Sequence, residues 1–330
     1  MKKVIIGIHG LGNKPPKHLL EKWWKASLAE GLESIDINKN LPVFEMVYWA
    51  DYLHEIPLNK REKDKDNPYF LRELYNKVPQ NFKIKQHSLR KKTFNFLSNQ
   101  LNKIFLKEDN TLNYSFITDV ILKNFFKDLE MYYNDDCKDI NDLTCKVQDL
   151  VRNRLVQTIK KYKNYEIMII AHSMGSIIAF DVLNFLIPTT KINTLVTMGS
   201  PLGLPIVISK IAAEQRLKAN DKSIISTPPG LTKMWYNFAD IRDHVALNYK
   251  LVDDFSENNN GVRPVDFFVN NNYEMNGDNN PHKSFGYLRT TEFSKILSDF
   301  IGDKKPFVGK ILFEKVKEMV KTVRNKLNIK

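Results

Sequence analysis

Two cysteines in 330 residues cannot form a disulfide framework. Cys137 and Cys145 fall in a stretch that reads as helical, and their spacing matches neither a zinc-ligand pattern nor a CxxC redox pair. They read as reduced thiols of a cytoplasmic protein. Long apolar runs are missing too: none approaches the roughly 18 residues that a membrane-spanning helix needs. The opening Met1-Lys2-Lys3 before "VIIGI" mimics a secretory leader, but its apolar part is too short and runs straight into His9-Gly10. A first core strand is expected there instead. Zinc-finger spacing, RNP-type aromatic signatures and internal repeats are also lacking. The net charge of +12 therefore points to no nucleic-acid partner, because basic residues are spread along a chain rich in Lys, Asn and Ile.

With 42% hydrophobic and 27% charged residues, the composition is that of an ordinary soluble globular protein. Its length allows one large domain with insertions or two smaller ones. Apolar runs of strand type alternate with helical periodicity, the pattern of a parallel sheet with crossover helices, and so an α/β fold is expected. The predicted elements begin with strand 3–8, helix 18–32 and strand 42–50. Helix 143–162, strand 166–171, helix 175–186 and strand 193–198 come next, then a short helix at 205–217. Strands 233–239 and 264–270 and helix 284–300 complete the core. This divides the chain into a core of 1–50 and 142–302, an insert at 51–141 and a basic tail at 303–330. The insert is rich in Lys and Asn, carries aromatic residues at helical spacing, and is expected to be a helical cap, with little order around "NKREKDKDN". Between Asp303 and Lys330 nine Lys/Arg stand against three Asp/Glu, flanking an apolar stripe from Leu312 to Leu327. That helix fits packing on its own domain or lying on an anionic membrane surface, and vesicle binding with and without the tail distinguishes the two.

The strongest motif is "IMIIAHSMGS", in which an apolar strand turns at Ala171-His172-Ser173-Met174-Gly175 directly into helical periodicity. A serine in such a turn needs small residues two before and two after it, so that strand and helix can approach each other; Ala171 and Gly175 satisfy this. The stretch resembles the nucleophile elbow G-x-S-x-G, with Ala in place of the first Gly. A serine hydroxyl is a weak nucleophile and needs a positioned base. In hydrolases of this architecture the order is Ser, acid, His, which leaves His244 and His282 among the seven histidines. His244 is adjacent to the candidate acid Asp243 in "DIRDHV" and cannot easily reach between it and Ser173. His282, on a polar loop in "NNPHKSFGYL", is the expected base. Asp240, at the strand end, is the alternative acid.

Taken in order, strand–"HGLG", "AHSMGS", "MGSPLG", "DIRDHV" and "PHKSFGYL" resemble the α/β-hydrolase superfamily, most closely its lipases and esterases. The resemblance covers the chain except for the insert and the tail. It implies a mainly parallel sheet flanked by helices. It also implies a Ser173–Asp243–His282 triad and an oxyanion hole formed by the N–H groups of Met174 and, in the "HGLG" loop, Leu11. His9 would support that loop. Ser200 in "GSPL" stays structural, because Pro201 forbids an elbow. The implied reaction is hydrolysis of a carboxylic ester, a small-molecule or lipid ester, through an acyl-enzyme, with no metal or cofactor. Thioesters and amides use the same machinery. The competing reading is an inactive fold of this kind serving as a ligand-binding or scaffold protein.

A glycine-rich turn after a strand also suggests a phosphate loop. From Gly7 to Gly12 the Walker spacing fits, but Asn13 stands where Lys is required and Pro15 falls where a hydroxyl should follow the lysine. The dinucleotide pattern fails as well, with Pro15 in place of its third glycine. Nucleotide binding is not expected.

Overall fold

The computed structural model describes residues 1–78, 129–133, 136–138, 144–219, 225–246 and 250–302. Strand β1 (Lys3–Ile8) leads into helix α1 (Lys17–Glu33), strand β2 (Val43–Val47) and a 3₁₀ turn at Ala50–Tyr52. A hairpin of β3 (Asp136–Lys138) and β4 (Thr144–Lys146) runs into helix α2 (Val147–Lys161). Next come β5 (Glu166–His172), α3 (Gly175–Asp181) with a π-helical turn at Val182–Leu186, β6 (Ile192–Met198) and α4 (Pro205–Ala219). The last part holds β7 (Ile225–Ser226), β8 (Leu231–Ala239), a 3₁₀ turn at Leu251–Asp253, β9 (Phe255–Ser256) and β10 (Pro264–Phe268). A small ribbon of β11 (Glu274–Met275) and β12 (Asp278–Asn279) precedes helices α5 (Ser284–Leu288) and α6 (Thr291–Ile301).

Six strands form one sheet in the order β10-β8-β6-β5-β1-β2, and every pair in it is parallel. Because side chains alternate across a strand, each strand feeds two cores. Val4, Ile6 and Ile8 with Ile167 and Ile169 face one side, where Val151, Leu155 and Ile159 of α2 and Ile177 and Ile178 of α3 cover them. Ile5, Met168 and Ile170 face the other side, against Trp24 and Leu28 of α1 and Phe293 and Leu297 of α6. Strands buried on both faces read as unbroken apolar runs, which is why "VIIGI" and "IMIIA" show no polar alternation. Gly7 interrupts the first run because a side chain there would meet Phe44 and Trp24, at 2.8 and 3.2 Å. The result is a six-stranded parallel sheet with flanking helices, an α/β fold. Chain direction in the sheet diverges between β1 and β5: β2 lies to one side, and β6, β8 and β10 to the other. In open α/β sheets ligands bind at the carboxyl ends of the strands at such a point.

Several sequence expectations need correction. Cys137 and Cys145 lie on the β3–β4 hairpin rather than in a helix, and they are register partners. Helix α2 accordingly begins at Val147, four residues later than its periodicity suggested. The stretch expected as helix 284–300 is two helices. Thr290 takes an extended conformation between them (φ −64°, ψ 146°), and its hydroxyl donates to Tyr287 O at 2.9 Å. The "NKREKDKDN" stretch is a series of turns closed by its own side chains: Asn59 Oδ1 accepts Arg61 N–H at 2.9 Å, and Glu62 Oε1 accepts the N–H groups of Lys63 and Asp64. Residues 51–78 contain the one 3₁₀ turn and otherwise no helix. Residues 129–133 of the insert are helical, as expected there; the rest of the basis for a helical cap falls on residues 79–128, and the basic helix on 303–330, both outside the described residues.

One buried charge cluster joins the insert to the core. Arg152 of α2 donates to Glu214 of α4 at 2.8 and 3.0 Å, to Asp181 at the end of α3, and to the Tyr132 hydroxyl at 3.1 Å. Burial pushes the Asp181 carboxyl up to about 6, with Arg152 pulling against it. Arg152→Met should therefore destabilise the protein by about 3–5 kcal/mol in denaturant titrations at pH 8, since it strands a buried carboxylate. Without the guanidinium the folded-state pKa of Asp181 rises further above its unfolded value. The folded variant then binds a proton more readily than the unfolded chain, so the deficit should narrow between pH 8 and pH 5.

Candidate active site

The carboxyl ends of β1, β5, β6, β8 and β10 converge on one serine. Ser173, directly after β5, has φ +54°, a left-handed conformation that a residue with a side chain rarely adopts. Its N–H is held by Met198 O at 2.9 Å, at the end of β6. The motif glycine two residues on is needed because β1 ends against it: a side chain at Gly175 would lie 2.7 Å from Ile8 O and 2.9 Å from His9 O. Ser176 closes the turn, with its hydroxyl 2.5 Å from Ser173 O and 2.7 Å from the Ser200 hydroxyl. Ser200 thus supports the elbow and does not form one of its own.

His282 arrives from the short loop between β12 and α5. Its Nε2 lies 3.0 Å from Ser173 Oγ, and its Nδ1 lies 2.9 Å from each carboxylate oxygen of Asp243. Asp243 is fully buried, and it also accepts the Val245 N–H at 3.0 Å and the Tyr287 hydroxyl at 2.7 Å. Burial and the Asp243 charge hold Tyr287 well above the usual tyrosine range, so it donates as a neutral phenol. His244 is exposed, on the outside of the same turn.

Asp240, the alternative acid, is occupied elsewhere. Its carboxylate takes Arg242 in bidentate fashion, at 2.9 and 2.6 Å, and the Asn271 N–H at 2.7 Å. Of the two carboxylates, the structure brings Asp243 to the histidine. The choice is tertiary: the Asp240–Asp243 turn, closed by Asp243 N–H to Asp240 O at 2.9 Å, carries both acids, and only the position of β10 and its loop separates them.

Gly199, after β6, was not singled out from the sequence, yet it forms the floor of the Asp–His pair. It has φ +54°, and a side chain there would meet Asp243 Oδ2 at 2.7 Å and His282 Nδ1 at 3.1 Å. In a hydrolase built on these residues, Gly199→Ala should lower kcat by about a hundredfold through displacement of that pair. Comparison of kcat with the melting temperature checks this, because strain alone would lower only the latter.

The "HGLG" loop lies against the serine from the β1 side. A side chain at Gly10 would sit 2.7 Å from Ser173 Cβ, so only glycine fits. His9 is buried and stacked on Trp49, with ring centroids 5.0 Å apart. It accepts the Trp49 N–H at Nε2 and donates from Nδ1 to Gly10 O at 2.7 Å. Burial, then the nearby Lys14, push its pKa well down, so the ring stays neutral in this tautomer. With the Gly10 carbonyl held by His9, the planar trans peptide aims the Leu11 N–H the opposite way. Lys14 Nζ in turn donates to the carbonyls of Leu11 and Gly12. Met174, the other expected oxyanion donor, caps α3 at the same place.

Tyr287, Gly199, His172 and Asn271 were all missed by sequence reasoning. Asn271 lies in an asparagine-rich stretch where nothing local distinguishes one amide from the next. His172, in the variable position of the elbow, carried a weak signal because it is a polar residue at the end of a buried strand. Among the described residues no group of His, Cys, Asp and Glu could hold a metal ion. A groove of about 740 Å³, between β2 and α2, is lined by Lys17, Glu45, Tyr48, Asp51 and Arg154 and includes none of the residues around Ser173.

No known family model matches the chain, and no curated protein matches it in sequence.

Proposed function

We propose that the chain is a serine hydrolase of the α/β-hydrolase type, cleaving carboxylic esters through an acyl-enzyme. The observation that carries this is the continuous hydrogen-bonded path from Ser173 Oγ through His282 to Asp243, built on a strained serine turn. In the first step His282 Nε2 takes the hydroxyl proton as Ser173 Oγ attacks the ester carbonyl, and the carbonyl electron pair moves to oxygen. Asp243 holds the imidazole in the tautomer with the proton on Nδ1 and stabilises the imidazolium that forms. The N–H groups of Met174 and Leu11 stabilise the oxyanion. His282 then returns the proton to the leaving alcohol, and water enters by the same route to release the acid. Residues 51–141 would serve as the cap over this site.

A second reading is a ligand-binding protein with an inactive triad. It is favoured by the burial of Ser173, which is 1% exposed, while His282 is about one-sixth exposed at its side chain. Covalent labelling with a fluorophosphonate probe decides between them. Modification at Ser173 supports the hydrolase, and a folded protein that resists the probe favours the binding role. A panel of esters with graded acyl chains then reports whether lipid esters are preferred.

A further inference from the structure

The loop that carries His282 is gripped from two sides. Pro281, His282 and Lys283 present three successive carbonyls, and a side chain takes each of them. Asn271 Nδ2 donates to Pro281 O and to Lys283 O, both at 2.8 Å, and His172 Nε2 donates to His282 O at 2.6 Å. Asn271 is buried, and its Oδ1 accepts the Tyr273 N–H at 3.0 Å, so both ends of its amide are committed. Its own N–H is bound by Asp240, which Arg242 locks in place. On the other side of His282, its N–H donates to Asn280 Oδ1 at 3.0 Å. Glu73 reaches across from residues 58–78 to accept Asn280 Nδ2 and, at 2.6 Å, Lys283 Nζ.

The bonds from Asn271, His172 and Asn280 act on the backbone and leave the imidazole free for its two partners. They determine where the pivot of the ring sits, and a ring displaced by about 1 Å loses one of Ser173 and Asp243, enough to lower turnover by two orders of magnitude. We infer that His172 and Asn271 are positioning residues for His282, clamping the peptide that carries it so that the imidazole spans nucleophile and acid. The catalytic part of this inference rests on the hydrolase reading. His172 suits the task chemically. The carbonyl at its Nε2 fixes the proton there, and burial, then the neighbouring His282, depress its pKa. The two rings stand 4.8 Å apart, so a neutral His172 does not oppose the imidazolium that His282 must become.

Steady-state kinetics of His172→Leu, His172→Gln and Asn271→Ser test the clamp. Glutamine can place an amide donor near the imidazole Nε2, whereas leucine fills the space without one. The expected result is a fall of about a hundredfold in kcat for His172→Leu with KM nearly unchanged, and recovery of most of it in His172→Gln. Added to a His282→Ala background, His172→Leu should cause no further loss of residual activity, because it acts only through His282. An equal loss in that background, or glutamine performing no better than leucine, overturns the inference. Should His172→Leu not fold, Asn271→Ser is read by the same kcat and His282→Ala comparison. Hydrogen exchange separates this outcome from failure of the hydrolase reading. If Ser173 of the wild-type protein resists fluorophosphonate, the hydrolase reading falls, and the clamp is judged by exchange of the peptide 279–285. Faster exchange there in His172→Leu and Asn271→Ser supports it, and unchanged exchange overturns it.

Discussion

Ser173→Ala should lower ester turnover by about a million-fold while leaving the protein folded. A residue that acts within a triad takes nearly all of the triad's contribution with it, and the remainder comes from oxyanion stabilisation and binding. Folding should survive, because the bonds that define the elbow are made by the Ser173 backbone: its N–H to Met198 O and its carbonyl to the Ser176 hydroxyl. Only the contact from Oγ to His282 is lost. The left-handed φ of +54° is retained by alanine at the same position, so the strain does not change. The measurement is turnover on a short-chain ester together with fluorophosphonate labelling of both forms. Near-normal activity in the variant would falsify the assignment of Ser173 as nucleophile.

Asp243→Asn should lower kcat by about ten-thousandfold, and Asp240→Asn by no more than about a hundredfold. An amide at position 243 turns a donor toward His282 Nδ1 or toward the Tyr287 hydroxyl. Either the imidazole adopts the tautomer with its proton on Nε2, where it cannot accept from Ser173, or the buried bond to Tyr287 is broken. At position 240 the effect is indirect. The carboxylate there holds Arg242 and the Asn271 N–H, and Asn271 holds the peptide on either side of His282. Loss of half of that anchor loosens the base without changing its tautomer. Parallel measurement of kcat and KM in the two variants checks the ranking, and a larger loss in Asp240→Asn would make Asp240 the acid.

What was legible in the sequence is what depends on near neighbours. β1 was expected at 3–8 and is found at Lys3–Ile8, because four residues buried on both faces of a parallel sheet leave an apolar run that no loop or exposed helix imitates. The elbow was legible because strand, turn and helix follow one another within a few residues, although the glycine at 175 answers to Ile8 O and His9 O at the end of β1, far away in the chain. Boundaries failed where a short polar strand or a break competed with helical periodicity, as at Thr144–Lys146 and at Thr290.

Which carboxylate faces His282, and which side chains hold that histidine, were decided only in three dimensions. Asp240 and Asp243 sit on one turn with similar neighbours in the chain, and sequence order admits either. The path of β10 beside β8 brings Asn271 to Asp240 and leaves Asp243 facing His282. Gly199, Tyr287 and His172 come from three further segments, and their roles rest on contacts between residues 44 to 110 positions apart. Such contacts leave no periodicity and no local spacing. By itself the sequence determined that a strained serine would stand at the end of a central strand beside a glycine-rich loop. The packing of the strand ends determined which carboxylate faces the histidine and which side chains hold that histidine in place.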